Sequence, residues 1–139
     1  MKPKVLIAGA YGMVGKALVS ELKLKNNIRL LTPTKKELNY LNFKDVDKYF
    51  KSIRPNFVYI VAAKVGGILA NKENKIEFFE NNQLIQMNLF KCINKYKVKK
   101  SIFLGSSCIY PKNAKQPIKE NSLLSCLLYT SDAADDLVG

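Results

Sequence analysis

A chain of 139 residues has room for one domain with a genuine core, and one domain or part of one is expected. Its three cysteines follow no CxxC spacing and it has no histidine, which excludes a disulfide framework or zinc site and predicts no metal. A net charge of +12 invites a nucleic-acid reading, but the lysines are scattered and Arg29 and Arg54 are the only arginines, so a solvated basic surface is expected and no nucleic acid.

From the amino end, "KVLIAGA" (Lys4 to Ala10) reads as a strand buried on both faces, as in parallel sheets. It runs into glycine, and Met13, Val14, Ala17, Leu18 and Leu22 then recur at helical spacing as far as "KNN". "IRLL" (Ile28 to Leu31) is a second strand and "TPTKKELN" a polar turn. A helix follows from Phe43 through Val46, Tyr49, Phe50 and Ile53, closed by Pro55. "NFVYIVAA" from Asn56 is the third strand, and Gly66 and Gly67 mark the loop after it. The longest helix spans about Asn74 to Tyr96, with Ile76, Phe79, Leu84, Met87, Phe90 and Ile93 expected along one apolar side and Cys92 in the core. "KSIFLGSS" from Lys100 is the fourth strand.

Strands alternating with helices predict an α/β fold: a Rossmann-type parallel sheet with helices on both faces, truncated after about the fourth strand. The longest uncharged apolar run, "FVYIVAA", is too short to span a membrane, and the amino end lacks a signal peptide, so a cytoplasmic protein with no membrane partner is expected.

"GAYGMVG" sets Gly9, Gly12 and Gly15 in GxxGxxG spacing between the first strand and first helix. Gly9 suits the tight turn, Gly12 the approach of a pyrophosphate, and Gly15 close packing of helix on strand, with the helix amino end facing the anion. Dinucleotide binding is the expectation. No acid stands at the end of the second strand to hold a ribose, whereas Lys35 and Lys36 suit a 2'-phosphate; NADP is favoured over NAD, with two solvated loop lysines as the bland reading. "LGSSCIYP" (Leu104 to Pro111) puts two hydroxyls and a thiol at a strand's carboxyl end, where open α/β sheets bind ligands. A thiol there is reactive beside polar or positive neighbours and inert when simply buried.

The blocks "IAGAYGMVGKAL", "KKELNYLN", "VAAKVGGILAN" and "FLGSSCIYPKNAKQPIKE" resemble the GDP-L-fucose synthase family, the GDP-4-keto-6-deoxy-mannose epimerase-reductases of the extended short-chain dehydrogenases. The resemblance runs from about Lys4 to Leu124. It implies an NADP-dependent oxidoreductase and epimerase acting on a nucleotide sugar. Ser106 would hydrogen-bond the sugar C4 oxygen, and Cys108 would serve as acid or base at C3 and C5. NADP would touch Gly9, Ala10, Tyr11, Gly12, Met13, Val14, Gly15 and Lys35, with Ala62, Ala63 and Lys64 near the ribose and the backbone of Leu104, Gly105, Ser106 and Ser107 beside it. Tyr11 and Pro33 stand where the family often has arginine.

The family's Tyr-x-x-x-Lys is absent: four residues after Tyr129 stands Ala133. "CLLYTSDAADD" (Cys126 to Asp136) resembles the translation of a transposon mosaic-end sequencing adapter. The expected division is therefore a partial NAD(P)-binding Rossmann domain over 1–125 and a non-native tail over 126–139, to be set aside in reasoning about the fold. A homodimer is implied for the intact enzyme and not for this chain, which is expected to be marginally stable and inactive alone. A different sugar-nucleotide epimerase or dehydratase, or a non-catalytic dinucleotide-binding module, are the alternatives.

Overall fold

The computed structural model describes residues 2–66, 68–106, 109–111 and 113–123. Contacts divide the chain into two units, Met1–Leu104 and Gly105–Gly139. In the first unit the order is β1 (Lys4–Ala8), α1 (Met13–Lys23), β2 (Arg29–Leu31), α2 (Phe43–Ile53), β3 (Phe57–Ile60), α3 (Ile68–Glu73), α4 (Lys75–Lys95) and β4 (Lys100–Phe103). The strands form one parallel sheet in the order β2-β1-β3-β4, with Val5 opposite both Leu30 and Phe57, and Val58 opposite Ser101.

β1 is central and covered on both faces, which is why its sequence is apolar without alternation. Leu6, Ala8, Val58 and Ile60 face α2 and α4, in a core that also takes Leu31, Leu38, Val46, Phe50, Ile85, Leu89 and Cys92. Val5 and Ile7 are also buried, and α1 lies against β1 and β2. Right-handed crossovers account for both layers. From β1 the chain steps to β2 on one side; β3 and β4 then build outward on the other. The direction of winding therefore reverses between β1 and β3. The ladders stop at Ala8 and Ile60, short of the apolar runs, although Val61 N–H still donates to Ala8 C=O at 2.9 Å.

α2 begins at Asn42, whose side chain accepts from Lys44 N–H at 2.9 Å, and ends at Arg54, left-handed with φ 52°, ahead of Pro55. Asp47 ties it to the end of α4, accepting from Lys95 Nζ at 2.7 Å and Tyr96 Oη at 2.9 Å, while the Arg54 guanidinium stacks 4.7 Å from the Tyr96 ring centre. These hydrogen bonds hold the Asp47 carboxyl below the usual range.

α4 corrects one sequence expectation. Its inner side is Ile85, Asn88, Leu89 and Cys92, whereas Ile76 is 75% and Phe79 66% exposed, and Leu84, Met87 and Phe90 are also exposed. Both stripes fit helical spacing; the one aligned with the sheet won. Asn88 tolerates burial because its Nδ2 donates to Tyr40 C=O at 2.9 Å. Cys92 is core, and burial pushes its thiol up to about 11. The outer stripe meets the edge strand at Phe90 and Phe103, edge to face at 5.6 Å. α3, a single short helix, lies within the segment read as loop. No helix among the described residues is long and apolar enough to cross a membrane.

The second unit, within its described residues, holds a turn closed by Ala114 N–H to Pro111 C=O at 3.0 Å and a 3-10 turn at Glu120–Ser122.

A Cβ built on Gly15 would lie 2.0 Å from Gly9 O and 2.8 Å from the Ala10 backbone. Alanine ordinarily gains about 1 kcal/mol over glycine in a helix. Here Gly15→Ala is expected to lose about 3 kcal/mol or more, because neither neighbour is a flexible side chain; urea denaturation measures it. Asp47, depressed in the folded state, contributes stability that is complete above the ordinary carboxylate range and lost as pH falls through its lowered value. Asp47→Asn should flatten that acid limb of the stability–pH curve, as thermal melts between neutral and strongly acidic pH will show.

Candidate functional site

The reversal between β1 and β3 opens a crevice at their carboxyl ends, the place where such sheets take ligands. Gly9 sits at its floor with φ +94°, and a Cβ there would fall 2.6 Å from Ala62 N and 2.8 Å from Ala62 Cα. Only a residue without a side chain lets the two strand ends meet. Gly12 N–H donates back to Gly9 C=O at 3.0 Å, and the first helical bond is Lys16 N–H to Gly12 C=O at 2.9 Å. The amides of Met13, Val14 and Gly15 thus precede any i−4 acceptor.

Gly12 caps α1 without a side chain, and the first turn carries no acid. The positive end of the helix is left to an external anion. A Cβ on Gly12 would meet only Gly9 O, at 3.5 Å, with open space otherwise. That space fits a phosphate resting against backbone. Ala10 is buried behind the loop, Met13 is 89% exposed, and Val14 is exposed beside it.

Tyr11, exposed, donates its hydroxyl to Thr32 C=O at 3.1 Å and so ties the glycine turn to the exit of β2. At that exit Thr34 and Glu37 form a reciprocal cap: Glu37 Oε2 accepts from Thr34 N–H at 2.7 Å and Thr34 Oγ1 at 2.9 Å, and Thr34 Oγ1 accepts from Glu37 N–H at 3.3 Å. The backbone and hydroxyl of Thr34 hold the Glu37 carboxyl below its ordinary range. The one acid of this loop is spent locally, leaving Lys35 and Lys36 exposed. Tyr40 lies beside the Gly9 backbone, and burial pushes its pKa up.

At the exit of β3, Ala62 is partly buried and Ala63 exposed. Lys64 N–H donates to Asn82 Oδ1 at 2.7 Å, and Asn82 Nδ2 donates to Lys64 C=O at 3.0 Å. The Lys64 ammonium pairs with Glu77 and lies 5.2 Å from the Phe78 ring centre. Its charge is therefore directed at α4, and what it lends the crevice wall is backbone. Neither Asn82 nor Glu77 was marked by sequence reasoning; the polar "ENNQ" interrupting an apolar helix was the signal available.

Leu104 ends the first unit, its N–H donating to Ile60 C=O at 3.1 Å. Gly105 and Ser106 open the second; both are exposed, and Ser106 C=O accepts from Ile109 N–H at 3.4 Å. Ser107 and Cys108 lie outside the described residues, as does the tail from 126. Gly9 through Gly15 are thus brought together with Ala62, Ala63 and Lys64, and with the β2 exit carrying Lys35 through the Tyr11 bond.

Residues 5–132 match the NAD dependent epimerase/dehydratase family. The chain is 45% identical to the GDP-L-fucose synthase of Escherichia coli (strain K12) over 123 residues, 88% of this chain and 38% of that protein. It is 42% identical to GDP-L-fucose synthase 1 of Arabidopsis thaliana over 125 residues, covering 90% and 39%. Among solved structures it is similar to a GDP-mannoheptose C4 reductase from Campylobacter jejuni with NADP bound, at 36% identity and a TM-score of 0.83 over 96% of this chain and 40% of that one. A GDP-L-fucose synthetase from Naegleria fowleri bound to NADP gives 28% identity and a TM-score of 0.76, covering 88% and 39%. The chain therefore spans about two-fifths of the length of these relatives. Since the family match runs unbroken through the glycine turn, the β2 exit and the loop after β3, the chain belongs to the NAD dependent epimerase/dehydratase family.

Proposed function

We propose that this chain is the dinucleotide-binding portion of a GDP-L-fucose synthase, which with NADPH epimerises GDP-4-keto-6-deoxy-D-mannose at C3 and C5 and reduces it at C4 to GDP-L-fucose. The observation that carries the reading is the 45% identity to the Escherichia coli enzyme along 88% of the chain, beside a family match over residues 5–132 that takes in the glycine turn. NADP is preferred to NAD because Lys35 and Lys36 are exposed while Glu37 is engaged by Thr34, so a 2'-phosphate meets positive charge. Two of the similar structures carry NADP.

Bound NADPH supplies the hydride. Two further roles fall to side chains of this chain. The Ser106 hydroxyl holds the C4 oxygen, donating a hydrogen bond that strengthens as charge builds there. The C4 ketone acidifies the hydrogens at C3 and C5, and Cys108 exchanges protons at those carbons. The proton donor to the C4 oxygen, the tyrosine of Tyr-x-x-x-Lys, has no counterpart in the sequence, so the chain by itself binds cofactor and does not turn over. A cytoplasmic location, and a homodimer at the full length of its relatives, complete the proposal.

A second reading, a GDP-heptose C4 reductase, draws on the TM-score of 0.83 and 36% identity to the Campylobacter jejuni enzyme. A chimera of residues 1–123 with the remaining length of the Escherichia coli synthase separates activity from cofactor binding. It should reduce GDP-4-keto-6-deoxy-D-mannose with NADPH and lose turnover in Ser106→Ala. Preference for a 4-keto-heptose over the 6-deoxy sugar would favour the second reading.

On the chain itself, Gly12→Ala should cost no more than about 1 kcal/mol of stability, since the added methyl meets open space and the loss is that of alanine as the poorer N-cap. It should nevertheless weaken NADPH binding about tenfold or more, because the methyl occupies the approach to the helix amides. Lys35→Ala combined with Lys36→Ala should raise the dissociation constant for NADPH and leave that for NADH unchanged. Titration of cofactor fluorescence reads both.

A further inference from the structure

We infer that Asn82 is a positioning residue for the cofactor crevice, holding the loop after β3 in place through both backbone groups of Lys64. The inference deepens the proposed function and rests on it. Asn82 Oδ1 accepts from Lys64 N–H at 2.7 Å and its Nδ2 donates to Lys64 C=O at 3.0 Å, across 18 positions of sequence. An asparagine amide is the shortest side chain offering a donor and an acceptor side by side, so it can satisfy a peptide's two groups much as a neighbouring strand would. The loop has just left the sheet at that point. The last sheet-like bond of β3 is Val61 N–H to Ala8 C=O at 2.9 Å, and Lys64 is three residues on.

The position of that loop matters because Ala62 lies against Gly9, closer than any Cβ would allow. A shift at Lys64 is passed two residues back to the crevice floor. Asn82 does not act alone in gripping the loop. Glu77 pairs with the Lys64 ammonium, and Phe78 lies under it at 5.2 Å, so one side of α4 fixes Lys64 by backbone, charge and ring face. Of these, the Asn82 contacts restrain the backbone directly. The exposed Lys64–Glu77 pair is the weaker tie. Asn82 is partly buried on α4, one turn before Ile85 and on the same side of the helix, so it is Asn82→Asp, alike in size and shape, that separates its polar contacts from packing.

The test measures NADPH affinity and amide hydrogen exchange on the 139-residue chain, well below its melting temperature. Asn82→Leu, which removes both bonds at similar size, should weaken NADPH binding about tenfold. Asn82→Asp, which keeps the acceptor and loses the donor, should fall between Asn82→Leu and the unmodified chain. Asn81→Ala, on the same turn, should keep the unmodified affinity. In Asn82→Leu the Lys64 amide should exchange faster while the amides of Val58 and Leu89 keep their rates. An unchanged dissociation constant in Asn82→Leu overturns the inference. So does faster exchange spread equally to Val58 and Leu89, which would mark a merely structural role. Failure of the unmodified chain to bind NADPH overturns the cofactor reading and this inference with it; failure confined to the variant comparison overturns this inference alone.

Discussion

Everything at the carboxyl end of the sheet depends on a steric constraint: three backbones meet where no side chain fits. Gly9 admits the backbone of Ala62, and Gly15 admits the carbonyl of Gly9 and the backbone of Ala10. The first contact lets β3 run beside β1 to its end; the second seats the first turn of α1 directly above that end. Were either separation widened by the width of a methyl group, the helix amides and the β3 loop would no longer face a common space. Close packing of this kind is unforgiving because the neighbours are main chain, which cannot rotate out of the way as a side chain tip can.

The same polarity that opens one end of the sheet to an anion organises charge at the other. At the amino ends of the strands a cavity of about 510 Å³ is lined by Lys2, Pro3, Lys4, Arg54, Asn56, Phe57 and Lys99. α2 ends there, and its terminal carbonyls are electron-rich. Lys4 Nζ donates to Ile53 C=O at 2.6 Å, and Arg54 continues the helix in a left-handed cap. This basic patch is therefore accounted for by a helix carboxyl terminus. It shows how a lysine-rich composition distributes charge where backbone dipoles receive it.

What could be read from sequence was what local rules govern. β1 was legible because an unbroken apolar run that ends in glycine suits a strand buried on both faces and little else of that length. α2 was legible because Val46 and Phe50 form one stripe and Pro55 closes it. α4 was misread for a physical reason: it has apolar residues on two sides, so spacing identifies a helix without saying which stripe meets the sheet. That choice is made by Ile60, Leu31 and Phe50 from elsewhere in the chain. α3 was missed because six residues carry too little periodicity to distinguish a short helix from a loop. In the site, the glycine turn was legible and the hold on Lys64 was not. A side-chain amide reaching main chain 18 residues away leaves no pattern in sequence beyond an asparagine in an unexpected place.

α4 is where stability and the crevice become one problem. Its inner residues Ile85, Leu89 and Cys92 belong to the core, while Glu77, Phe78 and Asn82 near its start hold the loop after β3. A rigid helix carries displacement along its length, so an inward or outward movement at Leu89 cannot be absorbed before it reaches Asn82, seven residues away or about 10 Å along the axis. Core packing against Val58 and Ile60 thus sets the height at which Asn82 meets Lys64, and Lys64 sets the backbone that meets Gly9. The outer stripe of Phe79, Leu84 and Met87 contributes less to this, since these side chains stay substantially exposed. The inner stripe is under two demands at once: it must fill the core and hold the helix at the distance the crevice requires. A core substitution in α4 that conserved hydrophobicity but changed volume would therefore disturb cofactor geometry before it unfolded the chain.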